Sequence, residues 1–524
     1  MASVAGVSAL QNAPTSASQR LPRGIKRANA PQRVLRRKRS FPRCRHFDRV
    51  ERTTSRRRPL VPPRLRTRRS RCDPPRRTAF DVIVDHHRVP EALRRLAVPQ
   101  ALALVADQFL GVADTIVVGT LGAGPLAAIA AATGVFATVA IALSAFGAGP
   151  RILGAQAVGA NDLVRFGRIF RASFVVPVAI AVTFACAALA FAHPLVGWML
   201  PHIAAAHAGG DYLALRAFSL IPIAVTTVVI VAFAAAGDTS LSVRTIVAIN
   251  VVHVPLLALL TLGIGTHRPL GLAGAGLSSL LSEIAGMVFC LVAAARRPEL
   301  GLFARGGVER RYVRATARLA LPEFVFLIML IVPEPITVAL LAHLGERTVA
   351  AFRALTLVSD LTWAVPGSIG GATEIVVGQR LGARDIVGVL RFRRSATRAG
   401  VAIATAVAAF VALAAWPLTA LVTLNVAVAS VAAGPLAAHA LTLPIKTYAM
   451  TILAPIRASG DVGFTMWMGV ATSALVICGM VLAMRADLGL WSVPLAWLTA
   501  WTLRSALTVL RLRQGRWKTR RLAA

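Results

Sequence analysis

Two aspartates, Asp107 and Asp114, stand in the stretch DQFLGVADTIVVGTLG at residues 107–122, inside an apolar run that could cross a membrane. A charged side chain at the centre of a spanning helix costs about 2.5–3.5 kcal/mol on insertion scales, so a carboxylate there is either satisfied by neighbouring helices or functional. A separation of seven residues is two helical turns, which puts both groups on nearly one face. A carboxyl group held away from water takes up a proton more readily than one in water, and can then alternate between neutral and ionised forms. The same apolar background carries Asn250, His253 and Glu283, then Glu334, Asp360, Glu374 and Lys446. A carboxylate beside an imidazole suits proton movement. A sodium ion would need several oxygen ligands at once. A lysine within a span needs a partner, and Glu334, Asp360 and Glu374 are the carboxylates at hand for Lys446. A cavity for anionic substrates is the alternative use of that lysine.

The elements that position these groups follow from composition. Of 524 residues, 56% are hydrophobic and 15% charged, where a soluble protein carries about 25% charged residues. Apolar runs rich in Ala, Gly, Leu and Val recur from residue 96 to residue 511 without the dyad alternation of a membrane barrel. They predict an all-α membrane protein of twelve transmembrane helices, at roughly 97–118, 126–149, 169–192, 212–235, 241–263, 273–295, 319–341, 349–378, 397–422, 430–456, 463–484 and 489–510. The second half repeats the first. LAVP at 96–99 returns as LALP at 319–322, Leu121-Gly122 as Leu344-Gly345, QAVGAND at 156–162 as QRLGARD at 379–385, and Gly237-Asp238 as Gly460-Asp461, all at an offset of 223. Six spans per half is an even number, so both halves enter from the same side and the repeats are parallel.

The expected organisation is a basic tail at 1–90, one six-helix lobe at 91–300, a second at 301–512 and a short basic tail at 513–524. The even-to-odd loops (second to third span, fourth to fifth, and so on) hold 19 Lys and Arg, and the six loops on the other face hold Arg268, Arg347 and Arg485. The positive-inside rule then makes both termini cytoplasmic, in a multi-pass protein of the inner (plasma) membrane. Gly159, Gly382, Gly237 and Gly460 are expected to shape short turns there, and Pro99 and Pro322 to start or kink the first helix of each half.

The net charge of +36 divides unevenly: residues 1–90 hold 24 Lys and Arg against five acids, and the rest hold 34 against 17. Stretches such as RVLRRKRSFPRCR lack periodicity and apolar content, so the first 90 residues are expected to be disordered. They read as a start assigned too far upstream, although no Met lies between Met1 and Met199. Other readings are an anchor to anionic lipid, an organelle leader, or a nucleic-acid-binding arm on a membrane-tethered protein. The five cysteines show no CxxC, and no HExxH or other metal-ligand spacing is found. None of the four lysines follows a glycine, so a phosphate-binding G-x-x-x-x-G-K-[ST] loop is absent. Twelve spans in two repeats without an ATPase motif point to a secondary transporter rather than an enzyme, with its substrate site between the halves.

LAVPQALALVADQFLGVADTIVVGTLG, AQAVGAND, GDTS, GLAGAGLSSLLSE, EIVVGQRLGARD and RASGD, in that order, resemble the multidrug and toxic-compound extrusion (MATE) family over residues 93–517. The glutamates in LLSE and TEIVVGQ look most like its DinF-like branch. The resemblance implies two lobes around a V-shaped cavity and export of small organic, amphipathic substrates against protons or Na⁺, by a monomer in the bilayer, with no bound cofactor and no nucleic-acid partner. It also implies a functional aspartate at Asp114, in the VADT motif. In the fifth span, relatives often read N-x-x-N-x-x-x-D. Here Asn250 matches, but His253 and Leu257 replace the other two, which disfavours Na⁺. The expected cation-coupling set is Asp114, Glu283, His253, Asn250 and Asp107; the expected cavity or ion-pair set is Lys446, Asp360, Glu374 and Glu334. A flippase of lipid-linked saccharides from the same superfamily is the nearest alternative, kept open by Lys446 and Arg216.

Overall fold

The computed structural model describes residues 89–200, 203–263, 269–423 and 425–519. Of the expected disordered tail at 1–90, residues 1–88 lie outside these residues, and Val89 and Pro90 open the first helix. Among the described residues the chain is helical without strands, and twelve helices are long and apolar enough to cross a membrane. We number them α1 (Pro90–Gly119), α2 (Gly124–Gly159), α3 (Leu163–Met199), α4 (Ala205–Ala235), α5 (Ser240–Leu262), α6 (Gly271–Ala295), α7 (Arg310–Ala342), α8 (Glu346–Gly382), α9 (Ile386–Leu413), α10 (Val426–Ala458), α11 (Val462–Arg485) and α12 (Gly489–Arg513). They are the twelve spans expected, with their bounds moved. Helices α3 and α9 begin earlier than hydropathy suggests, because Asp162 and Asp385 cap them, accepting hydrogen bonds from the backbone N–H of Arg165 (2.9 Å) and Gly388 (2.8 Å). Several arginines counted as loop charge, such as Arg165 and Arg391, therefore ride on helical turns. The ninth span ends at Leu413, and a short helix, Ala415–Thr423, follows it. Pro99 and Pro322 lie inside their helices; the break in α7 falls later, where Pro333 starts a new helical segment.

With lipid-like side chains on both sides of every contact, close packing has to come from small residues. Helix α3 shows this: Ala181, Ala185, Ala188 and Ala192 are all buried along one face. Each six-helix half packs mostly within itself. The halves meet through α1 against α8, α7 against α2 and, at one end, α2 against α8.

The tightest meeting point lies at the end where the basic loops emerge. Gly159 and Gly382, 223 residues apart, face each other's strictly corresponding neighbours. A Cβ on Gly159 would lie 1.7 Å from the Gln379 carbonyl oxygen, and one on Gly382 would lie 2.0 Å from that of Gln156. The Gln156 amide donates to the Ala458 carbonyl (2.7 Å), and the Gln379 amide donates to the Ala235 carbonyl (2.8 Å). These pairs exchange under the same offset of 223, so the interface has approximate two-fold symmetry. Gly159 and Gly382 are thus needed for space, which corrects their expected role in turns. Gly237 and Gly460 do take the left-handed conformation, with φ of 94° and 80°.

Beside this contact lies a closed ring of four charges. Arg151 of α2 reaches Glu323 of α7 (2.9 Å) and Glu374 of α8 (3.1 Å), and Arg457 of α10 reaches the same two carboxylates (2.5 and 3.0 Å). Arg151 and Glu374 are themselves repeat partners. Glu323, Glu374 and Arg457 are buried. Removing one member of a buried ion pair costs about 3–5 kcal/mol.

This contact predicts that the halves cannot close with a side chain at either glycine. Spin labels on cysteines replacing the exposed, repeat-related Ala160 and Ala383 should report a longer distance in Gly159→Val and in Gly382→Val than in the parent. An unchanged distance in both variants would show that the close approach is not the resting arrangement.

Candidate functional site

The carboxylate of Asp114 is buried between α1, α4 and α5. Its Oδ1 lies 2.9 Å from Nε2 of His253, whose side chain is fully buried. The other imidazole nitrogen, Nδ1, is 3.3 Å from the Ser282 hydroxyl on α6. The ring therefore joins α1 to α6 through two polar contacts, with the tautomer set by whichever neighbour donates. On the opposite side, Arg216 of α4 brings a guanidinium nitrogen to 3.8 Å from Asp114 Oδ2 and donates to the Ser279 hydroxyl. Its guanidinium is also held over the Phe136 ring, 4.6 Å from the centroid, and lies 5.7 Å from that of Tyr212. The Tyr212 hydroxyl is 3.4 Å from that of Thr133.

The other residues expected in this set are placed less centrally. Glu283 is half-buried on α6, within electrostatic range of Arg216 and Asp107. Asp107 is exposed, two turns from Asp114. Asn250 spends its amide N–H groups on the backbone carbonyls of Ile246 (2.8 Å) and Ala106 (3.3 Å), tying α5 to α1. Of the five residues, the structure joins Asp114 and His253 directly. A carboxylate, an imidazole and a hydroxyl in sequence can hold and pass a proton. The guanidinium beside them disfavours a further fixed cation.

The second set lies in the other half, and its pairing differs from expectation. Lys446 Nζ is 3.0 Å from His439 Nε2, in place of the carboxylate partner foreseen. Glu374 belongs to the charge ring with Arg151 and Arg457, and Glu334 pairs with Arg353 at 3.0 Å. Helical rise explains the sorting. Asp360 and Glu374 are fourteen residues apart on α8, on either side of a turn at Trp363; Lys446 and Arg457 are eleven apart on the unbroken segment Leu443–Ala458, about 16 Å along its axis. Lys446 and Asp360 share the cavity lining, and Arg457 and Glu374 share the charge ring.

Lys446, His439, Asp360 and Glu334 all line a cavity of about 390 Å³, walled on its apolar side by Trp363, Trp497 and Trp501. Ile141 and Ser144 of α2 complete it, so both halves contribute. A cavity of this size, mostly apolar with a few polar groups, suits a small organic molecule. Sequence reasoning missed His439, Glu323, and the placing of Arg151 and Arg457. His439 had one available signal: it stands 223 residues after Arg216, at the same position of the repeat.

Comparison with known proteins adds to this geometry. The chain is 26% identical over 309 residues to the "Probable multidrug resistance protein NorM" of Rhizobium meliloti (strain 1021), covering 56% of this chain and 64% of that one. It is 24% identical over 156 residues to the "Probable multidrug resistance protein YoeA" of Bacillus subtilis (strain 168), covering 28% and 33%. The matches thus span less than two thirds of either relative. Among solved structures it superposes on "MATE in the bent conformation" with a TM-score of 0.76 at 19% identity, over 84% of this chain and 98% of that one. It also superposes on a MOP superfamily transporter from Pyrococcus furiosus Vc1, described under the words "reverse polarity of binding pocket suggests different function", with a TM-score of 0.77 at 18% identity, over 84% and 99%. The family model MatE matches twice, over residues 99–259 and 322–484, the two copies starting 223 residues apart. With more than half its length in those two blocks, the chain belongs to the MatE family, a family of membrane transporters and not of enzymes.

Proposed function

We propose that the chain is a proton-coupled exporter of small organic molecules, with the Asp114–His253 pair as its coupling site. The observation that carries the reading is the 2.9 Å contact between a buried carboxylate and a fully buried imidazole within a span. A sodium site is disfavoured because His253 stands where related chains offer an oxygen ligand, and Arg216 already supplies a positive charge 3.8 Å from Asp114. A proton needs only one acceptor, and the pair offers it. Glu283 and Asp107 would act as outer members of this site. In this reading both termini are cytoplasmic in an inner membrane, the lobes run from 91–300 and 301–512, the protein works as a monomer, and the chain falls in the DinF-like branch. The contact between Gly159 and Gly382 then closes the cytoplasmic side, and the cavity belongs to the outward-open form.

The substrate class follows from the same cavity. Lys446 with His439, and Asp360 with Glu334, give it both signs of charge. That supports zwitterionic or anionic amphipathic substrates as a second reading beside lipophilic cations, and it keeps a flippase of lipid-linked saccharides in view. A binding pocket of reverse polarity is described for the Pyrococcus furiosus transporter.

Two outcomes are expected in proteoliposomes. A pH gradient should drive uptake of an organic probe where a Na⁺ gradient does not, and Asp114→Asn should lower it by about tenfold or more, the scale of a coupling free energy. Uptake driven by Na⁺ alone, or untouched by Asp114→Asn in folded protein, would remove the assignment. For the cavity, Lys446→Gln should weaken binding of an anionic probe by roughly tenfold or more, the loss of one charge-assisted hydrogen bond, while a cationic probe binds as well or better. Equal effects on both probes would return Lys446 to a purely structural role.

A further inference from the structure

We propose that His193, His207 and Asp211 form a binding site for a divalent transition-metal ion of the Zn²⁺ class, at the end of α3 and α4 away from the basic loops. His193 lies near the end of α3, and His207 and Asp211 lie on the first turns of α4, four residues apart on one face. Nε2 of His193 is 2.9 Å from Asp211 Oδ1, and Nδ1 of His207 is 3.5 Å from Asp211 Oδ2. One ligand atom from each residue falls within 4.8 Å of the others. A tetrahedral ion with bonds of about 2.0–2.2 Å holds its ligand atoms about 3.3–3.5 Å apart, so small side-chain rotations suffice. His207 has that freedom, with a side chain 71% exposed.

A second feature comes from the backbone. A Cβ on Gly210 would lie 2.5 Å from Cδ2 of His193, and one on Gly209 would lie 2.9 Å from Val196. Two consecutive glycines therefore let α4 come flush against the His193 ring, and the next residue is the carboxylate. Two imidazoles and one carboxylate are a donor set for Zn²⁺ and its neighbours, not for the oxygen-seeking Mg²⁺ or Ca²⁺. The three ligands would leave one position for water or another donor, and the ion would staple α3 to α4. The sequence showed no metal-ligand spacing because one of the three ligands comes from a different helix.

The test uses the full chain without a polyhistidine tag, stripped by a chelator, then titrated with Zn²⁺ and separately with Mg²⁺. Zn²⁺ should bind and raise the thermal unfolding midpoint, and Mg²⁺ should do neither. Asp211→Asn and His193→Gln should each weaken this binding by at least about tenfold and remove the stabilisation. Histidines elsewhere, including His86 and His87, are present in every chain, so the difference isolates this cluster. Should either variant fail to fold, His207→Ala at its exposed position provides the same comparison. Zn²⁺ affinity and stabilisation equal in parent and variants, or absent in the parent, would overturn the proposal.

Discussion

The reciprocal contact of Gly159 and Gly382 with the backbones of Gln379 and Gln156 is the constraint on which the rest of the molecule depends. No side chain fits at either glycine, and the two glutamine amides are committed to carbonyls of the opposite half. Once these four residues meet, Arg151 can reach Glu323 and Glu374, and the ring of buried charges closes around Arg457. An isolated buried charge would be expensive, so the ring is tolerated only while the halves are together. Separating them at this end must expose the ring to water or re-pair it. Under the proposed reading the contact and the ring would act together as one element with two arrangements.

Reciprocity also explains which parts of the repeat stayed alike. Positions whose contacts across the interface exchange under the repeat, such as Gly159 with Gln379 and Gly382 with Gln156, cannot drift independently. Gln156 and Gln379 are retained, as are Gly159 and Gly382, and the caps Asp162 and Asp385 set the next helices in the same register. Asn161 and Arg384 share a left-handed φ of 58° and 59° although their side chains differ. Away from the axis the halves diverge. Asp114 corresponds to Thr337, His253 to Val476, and Lys446 to Ile223. The carboxylate–imidazole pair exists only in the first half and the lysine cavity wall only in the second. Arg216 and His439 occupy one repeat position, and each brings a basic group to the site of its own half, 3.8 Å from Asp114 and 3.0 Å from Lys446.

Much of this was legible in the chain itself, at the level of depth and periodicity. Long apolar runs report spans, a constant offset reports duplication, and a charge inside a run reports something that needs a partner. The identity of the partner was harder. For Asp114 and His253 the family motif set both on view, and they meet. For Lys446 the sequence left three carboxylates open; its nearest partner is the His439 imidazole, and of the three only Asp360 acts on it, through charge without a direct contact. Glu323 directly follows the repeat marker LALP, and its partners Arg151 and Arg457 lie 172 and 134 residues away. Nothing periodic links such positions. Helix azimuth and the meeting of the two halves decide them, and neither is written in a single span.

The vertical sorting of charge has a mechanical consequence. Helix α8 carries Asp360 at cavity level and Glu374 at the closed end, and α10 carries Lys446 and Arg457 at the same two levels. Lys446 and Arg457 share the unbroken segment Leu443–Ala458, whereas a turn at Trp363 separates Asp360 from Glu374, so a tilt of the α10 segment that brings Lys446 onto a bound molecule also changes the Glu374–Arg457 pairing about 16 Å away. Under the proposed reading, occupancy of the cavity and closure of the opposite end are then linked in the second half without any relay of side chains. The first half contributes differently. Its Asp114–His253 pair ties α1 to α5, and α1 is the helix that packs against α8. Protonation there would alter the tie, and the nearest element to feel it from the other half is the helix that carries both Asp360 and Glu374. A ligand can shift such an equilibrium only by its differential affinity for the two arrangements. The arrangement of α1 against α8 is where the coupling ion and the substrate would bias the same equilibrium.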